Sequence, residues 1–282
     1  MHLQGKPPSH CPVNADWLKR AWLCCMLLLM TACAAPQPLM LMPAPVLYRD
    51  GLVDPFAHLL PARRIPRMSI FYATNRQPEI TEQGLSYGND ITQRLHLGQA
   101  VVQLGDENTQ WNDLYEASIT DQTGLLLPLK LHSVAQQARF PVGMATPSAA
   151  LTDEAQTYFA AINAELAEAQ DREILIYVHG TKVDFLNSTA LTAETDHFSG
   201  RDYVGLAFAW PSHQNIFRYL IREDVHRAQA SSDALATLLE LLAEHADTQR
   251  INVLAYSAGA RVTSKALDQL RTKYSDESAY RL

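Results

Sequence analysis

The stretch INVLAYSAGARV, Ile251 to Val262, decides the fold. Its first half is apolar and bounded, and it reads as a buried strand. Its second half opens a helix in which Val262, Ala266, Leu267 and Leu270 share a face. Ser257 stands at the junction, with Ala255 and Gly259 two positions to either side. Small residues there leave room for a turn that packs its backbone tightly and strains the serine. The amide of Ala258 then points to where negative charge would develop, and the helix N-terminus adds partial positive charge. A plain alternative exists, in which Ser257 is an N-cap on an ordinary strand-to-helix turn.

Outward from this stretch, the second half of the chain alternates strand and helix. EILIYVHG (173–180) and YVGLAFAWPS (203–212) are continuous apolar runs, as expected of strands buried on both faces. Leu151, Ala155, Tyr158, Phe159, Ile162 and Leu166 recur at helical spacing behind a Thr152 N-cap. Leu235, Leu238, Leu239 and Leu242 mark one face of a longer helix. The alternation predicts an α/β fold with a mostly parallel sheet and helices on both faces. Residues 66–135 are β-rich, with RMSIFYATNR, GQAVVQL and GLLLPLKLHSV as strands.

The run VHG ends an earlier strand at His179 and Gly180. A glycine there lets the backbone approach a ligand closely, and the amide of Thr181 is a candidate second oxyanion donor beside that of Ala258. The alternative is a simple strand-end turn with His179 a satisfied structural histidine.

FYATNR, LHLGQAVV, LIYVHG, FAWPS, YLIRED and VLAYSAGARV, in this order, resemble a bacterial family of α/β-hydrolases of uncharacterised function within the esterase/lipase superfamily. The resemblance runs from about Leu47 onward. It implies an α/β-hydrolase fold, Ser257 as nucleophile, an oxyanion hole at Thr181 and Ala258, and hydrolysis of an ester or amide without a cofactor. The chain departs from that family in three ways. Ala255 replaces the first glycine of the elbow; Tyr256 and Ala258 flank the serine where histidine and methionine are usual; and no histidine follows Ser257. The family's acid and histidine lie downstream of the serine, so the hydrolase domain is expected to be truncated at its C-terminus. The INVLAYS strand is then expected to stand as an open sheet edge. Upstream, His213 follows the carboxyl end of LAFAWPS and is the one candidate weak base; a surface-loop histidine is the alternative. Asp196 and His197 precede a strand and are placed at the opposite edge.

The chain is 47% hydrophobic and 19% charged, which permits a sizeable core. Its formal net charge of −7 argues against nucleic acid as a partner. All four cysteines, Cys11, Cys24, Cys25 and Cys33, precede the body, so the body is expected to hold neither a disulfide framework nor a thiolate metal site. The histidines form no metal signature.

Residues 1–33 read as a signal peptide. Lys19 and Arg20 precede the apolar run Ala21–Met30, which is short of the roughly 20 residues that span a bilayer. The ending LMTAC resembles the lipobox of bacterial lipoproteins, which implies multiple acylation of Cys33 and, with Ala34 next, an outer-membrane anchor facing the periplasm. Cleavage after Ala34, giving a periplasmic or secreted protein, is the alternative. Residues 34–65, rich in proline, read as a tether. Residues 66–282 are the partial hydrolase domain. The functional expectation is a serine hydrolase of the cell envelope, acting on a small-molecule or lipid ester through Ser257 and impaired by the missing acid and base. The rival is a non-catalytic envelope lipoprotein that uses the hydrolase fold as a binding module.

Overall fold

A computed structural model of the chain describes residues 39–82, 84–120, 126–143, 151–212 and 223–275. The stretch expected to be a signal peptide, with Cys33, and the candidate base His213 lie outside the described residues.

Six strands form one sheet: β1 (Arg67–Thr81), β2 (Gly84–Leu104), β3 (Leu129–Pro141), β4 (Glu173–Val178), β5 (Val204–Phe208) and β6 (Arg250–Ala255). Their order is β3-β2-β1-β5-β4-β6. The pairs β1·β5, β5·β4 and β4·β6 are parallel, whereas β2 is antiparallel to both β1 and β3. The β-rich section is thus an antiparallel extension of the same sheet, built on a long β1–β2 hairpin.

The helices are α1 (Val46–Arg49), α2 (Trp111–Ile119), α3 (Asp153–Glu168), α4 (Phe185–Phe198), α5 (Glu223–His245) and α6 (Ala258–Lys273), with a 3-10 turn at Pro61–Arg63. Strand side chains alternate between faces, and the sheet therefore has two cores. Phe71, Ile176, Leu206 and Phe208 meet α3, α5 and α6 through Tyr158, Ile162, Leu235, Leu238 and Val262. Ile70, Tyr72, Ala207 and Ala209 meet α4 through Phe185, Ala190 and Ala193 on the other face. Helices cover both faces, as the alternating runs predicted. Helix α3 starts where expected: the Thr152 hydroxyl accepts from the amide of Ala155 at 3.4 Å.

Two features differ from the sequence reading or extend it. From Leu39 on, the segment read as a tether lies against the body. Leu41 N–H donates to Leu127 O and Leu129 N–H to Leu39 O, while Phe56 is buried against Trp111 and His197. At the other side of the sheet, β6 pairs only with β4, and its Leu254 is 47% exposed. Among the described residues β6 is an open edge.

Candidate functional site

The parallel strands β4, β5 and β6 all end on one side of the sheet, and the loops that follow them converge there. Ser257 has φ 52° and ψ −117°, a backbone geometry that costs a residue with a Cβ on the order of 1–3 kcal/mol. Among the described non-glycine residues only Arg172, Lys182 and Arg201 share a positive φ. The strain is held by three bonds: Tyr256 N–H to Val178 O at 2.9 Å, Gly259 N–H to Tyr256 O at 2.9 Å, and Ala260 N–H to Ser257 O at 3.1 Å. Ser257 makes no side-chain cap bond to its helix, and it is exposed. An ordinary N-cap serine accepts from an N2 or N3 amide in extended backbone; this one does neither.

The sequence brought Gly180 to the same place. A Cβ built on Gly180 would stand 3.2 Å from the Cβ of Ser257 and 3.1 Å from Cδ1 of Tyr256. The VHG turn therefore touches the elbow directly. Thr181 follows it and is partly exposed, and Lys182 next to it is left-handed at φ 62°. Neither the Thr181 nor the Ala258 amide has an acceptor among the described residues. The Thr181 amide lies on the loop after β4, and the Ala258 amide is the first of α6, where a helix leaves its N–H groups unpaired.

Below this surface lies a buried polar floor. His179 stacks on Trp210 with centroids 5.4 Å apart and planes 8° apart, and the indole N–H donates to His179 O at 2.7 Å. His179 Nδ1–H donates to Gly180 O at 2.7 Å, which fixes the neutral tautomer with a bare Nε2. Burial, with Arg76 nearby, pushes its pKa down to about 3. An imidazole so reluctant to hold a proton is a poor general base. Arg76, fully buried, closes the floor from the β1 side. Its Nε donates to Ala209 O, its Nη1 to Gly88 O and Asn89 Oδ1, and its Nη2 to Val183 O and Trp210 O. Sequence reading placed Arg76 in a strand and gave it no role; a charged residue ending an apolar run was the only signal.

Ser257 has no hydrogen-bonded histidine among the described residues. One Ser–His pair does exist elsewhere. Ser118 Oγ lies 2.7 Å from His197 Nε2, fully buried beyond the starting ends of the strands. Ser118 donates to Leu114 O at 2.7 Å and Arg201 Nε donates to His197 Nδ1 at 3.0 Å. The imidazole must therefore carry its proton on Nε2 and donate to the serine. That polarity is the reverse of what activates a nucleophile, and the pair is structural. His197 and Asp196 lie at the end of the sheet opposite Ser257, where the sequence reading put them. Among the described residues no group of three or more His, Cys, Asp or Glu side chains is gathered to hold a metal ion.

No curated protein and no solved structure matches the chain. A family model does match, beginning at the first residue of α3, so that β1–β3 lie outside it. Residues 153–280, with the strands that carry both Gly180 and Ser257, match the family described as alpha/beta hydrolase of unknown function (DUF900), and this part of the chain is similar to that family.

Proposed function

We propose that this protein is a serine hydrolase whose nucleophile is Ser257 and whose oxyanion donors are the amides of Thr181 and Ala258. The single observation that carries this reading is the backbone of Ser257: strained, uncapped and exposed at the mouth of the sheet. Strain of this kind persists only where the surroundings enforce it. Oγ attacks the carbonyl carbon of an ester or amide, and the carbonyl oxygen takes the negative charge between the two amides. Collapse of the intermediate expels the alcohol or amine and leaves an acyl-serine, which water then hydrolyses. The hydroxyl proton must pass to a base, and His213 is the candidate that the sequence offers, outside the described residues. Without a competent base, oxyanion stabilisation alone leaves weak activity. The absence of a histidine on Ser257 among the described residues favours the second reading, a binding module on the same fold.

The test is labelling of the full chain with a fluorophosphonate probe. Labelling is expected in the wild type and lost in Ser257→Ala; equal labelling of both would refute the nucleophile. Ser257→Gly is expected to lose labelling too while raising Tm by a few degrees, because glycine relieves about 1 kcal/mol of strain. A serine that merely capped its helix would give the opposite sign.

The place of action proposed is the cell envelope, with Cys33 as the lipid anchor. Radiolabelled palmitate is expected to enter the wild type and to be lost in Cys33→Ser. Label retained in that variant would move the anchor elsewhere, and no label at all would favour cleavage after Ala34.

A further inference from the structure

The surface of the body is unevenly apolar. Twelve large apolar side chains are exposed among the described residues, and seven of them fall between Met42 and Ile65. Leu52 at 72% and Leu60 at 66% are the most exposed of the seven. An eighth, Leu126, precedes Leu127, whose carbonyl accepts the Leu41 N–H. Of the residues exposed between 42 and 65, only Asp50, Asp54 and Arg64 carry a full charge. Apolar residues scattered singly over a surface are normal, whereas a concentration of this kind marks a docking site.

The segment that carries them is fixed to the body. Met42 N–H donates to Glu194 Oε1 at 2.6 Å, and the Tyr48 hydroxyl donates to Phe198 O. Ala44, Phe56 and Leu59 are buried on its inner side. Arg201 Nη1 donates to Arg63 O and Ile65 O, and Leu104 N–H donates to Pro66 O. These anchors stand in the C-terminal part of α4, just beyond it, and at the last residue of β2. The segment therefore lies across the end of the sheet where β1 and β5 begin. Ser257 is at the other end, and the six residues of β4 set the two ends about 20 Å apart.

Two features favour a lipid bilayer as the occupant. Leu39 follows Cys33 by six residues, a reach of at most about 20 Å. With Cys33 as the lipid anchor, this end of the body is kept at the bilayer surface. Arg64 and Arg67 also stand exposed beside the apolar residues, and among the described residues neither forms an ion pair. Arg64 Nε donates to Leu59 O and Arg67 Nε to Gln103 Oε1. Their other guanidinium N–H groups suit lipid phosphates. Apolar side chains below the headgroups, with arginines level with them, are how a protein lies on a bilayer without crossing it. We propose that residues 42–65 form a docking face that seats the body on a phospholipid bilayer, with the Ser257 end turned to the aqueous side.

The choice of a bilayer rests in part on the reading of Cys33 as the anchor; the apolar face itself does not. Docking adds orientation to what an anchor alone supplies, since a lipid chain on an extended segment leaves the body free to turn. It also bears on substrate, on the reading of Ser257 as nucleophile. A serine held about 20 Å from the bilayer does not reach esters that stay in it. The acyl donor is then a water-borne ester or amide, or a lipid that has left the bilayer.

Hydrogen exchange of the full chain, with and without vesicles of phosphatidylcholine and phosphatidylglycerol, tests this. Amides of residues 42–65 are expected to exchange at least about threefold more slowly with vesicles, and those of residues 250–260 to be unchanged. The same slowing is expected in Cys33→Ser, so failure of the anchor and failure of the docking face are read separately. Leu47→Gln, Leu52→Gln and Leu60→Gln together are expected to abolish the slowing and to leave Tm within a few degrees, because all three side chains are exposed. Ile80→Gln with Leu254→Gln, also exposed but near the other end of the sheet, is expected to keep it. The proposal is overturned by unchanged exchange at 42–65 when vesicles are present, by slowing at 250–260 instead, or by slowing that survives in the triple variant. It is equally overturned by slowing at 42–65 that needs no vesicles and grows with protein concentration, which would make this face an interface between copies.

Discussion

Arg76→Met is expected to cost at least ~4 kcal/mol of stability, read as a shift in the urea midpoint at constant slope. The five N–H donors of Arg76 meet five acceptors drawn from three segments of the chain. Gly88 and Asn89 belong to β2, Val183 to the loop after β4, and Ala209 and Trp210 to the chain leaving β5. Methionine fills much of the volume and supplies no donor. Ala209 O keeps the Thr74 hydroxyl, Val183 O the Ser212 hydroxyl and Trp210 O the Ser212 amide, so these three each lose one charge-assisted bond, whereas Gly88 O and Asn89 Oδ1 lose the Arg76 donor at a cost of about 1–3 kcal/mol each when no water reaches them. Partial hydration lowers the sum, but a loss of ~4 kcal/mol is already a large part of the 5–15 kcal/mol of a typical domain. Burial lowers the guanidinium pKa only to about 10, so the side chain is charged at neutral pH. Arg76→Lys is expected to rescue little, because an ammonium has three donors and no planar fork. A loss below about 1 kcal/mol in Arg76→Met would mean that the acceptors rehydrate freely and that the floor under the elbow is not dry.

The sequence made the parallel half of the fold legible because its signals are local. Continuous apolar runs, a threonine cap and helical spacing announce β4, β5, α3 and the β6–α6 junction without reference to distant residues. What depended on distant partners was not legible. Nothing in FYATNR says that Arg76 will find carbonyls from residues 183, 209 and 210. Nothing in the proline-rich run says that Leu39 and Leu41 will bond to Leu127 and Leu129. The β-rich section carried the right strands but no sign that its hairpin would join the parallel sheet, since that pairing is set by β1 meeting β5, Phe71 opposite Leu206, across nearly half the chain.

The site divides along the same line. Ser257 and the small residues around it form a local pattern, and the strained backbone found there is of the kind such patterns accompany. That Gly180 presses against Ser257 depends on β4 lying next to β6, an adjacency that the alternation of strand and helix does not specify. The Asp196–Arg201 pair, by contrast, is created by a left-handed turn at Gly200 and by neighbours from α3, β1 and the 3-10 turn. Sequence reading put Asp196 at the far edge and stopped there, because the attraction between buried Asp196 and Arg201 has no one-dimensional signature.

Gly259→Ala is expected to lower Tm by roughly 10 °C, corresponding to ~3 kcal/mol for a chain of this size. Alanine is otherwise favoured over glycine in a helix by about 1 kcal/mol, so the sign of the effect is diagnostic. Gly259 shows no left-handed backbone, and the obstacle is purely steric. Its added Cβ would stand 2.3 Å from Val178 O and 2.6 Å from His179 O, both backbone atoms of the strand end that the elbow crosses. Neither carbonyl is free to retreat. Val178 O accepts the Tyr256 amide, and His179 O accepts the Trp210 indole N–H. The methyl must therefore drive α6 away from β4, breaking the bond that holds the strained serine and the contact that holds the floor. Gly180→Ala serves as the control. Its nearest neighbours are the Tyr256 ring at 3.1 Å, an exposed side chain that can turn aside, and the Ser257 Cβ at 3.2 Å, which must give only a few tenths of an ångström. It is expected to leave Tm within a few degrees of the wild type while crowding Ser257 and slowing fluorophosphonate labelling. If Gly259→Ala proved as benign as Gly180→Ala, α6 would not be clamped to β4, and the tight elbow on which the serine's geometry depends would have to be abandoned.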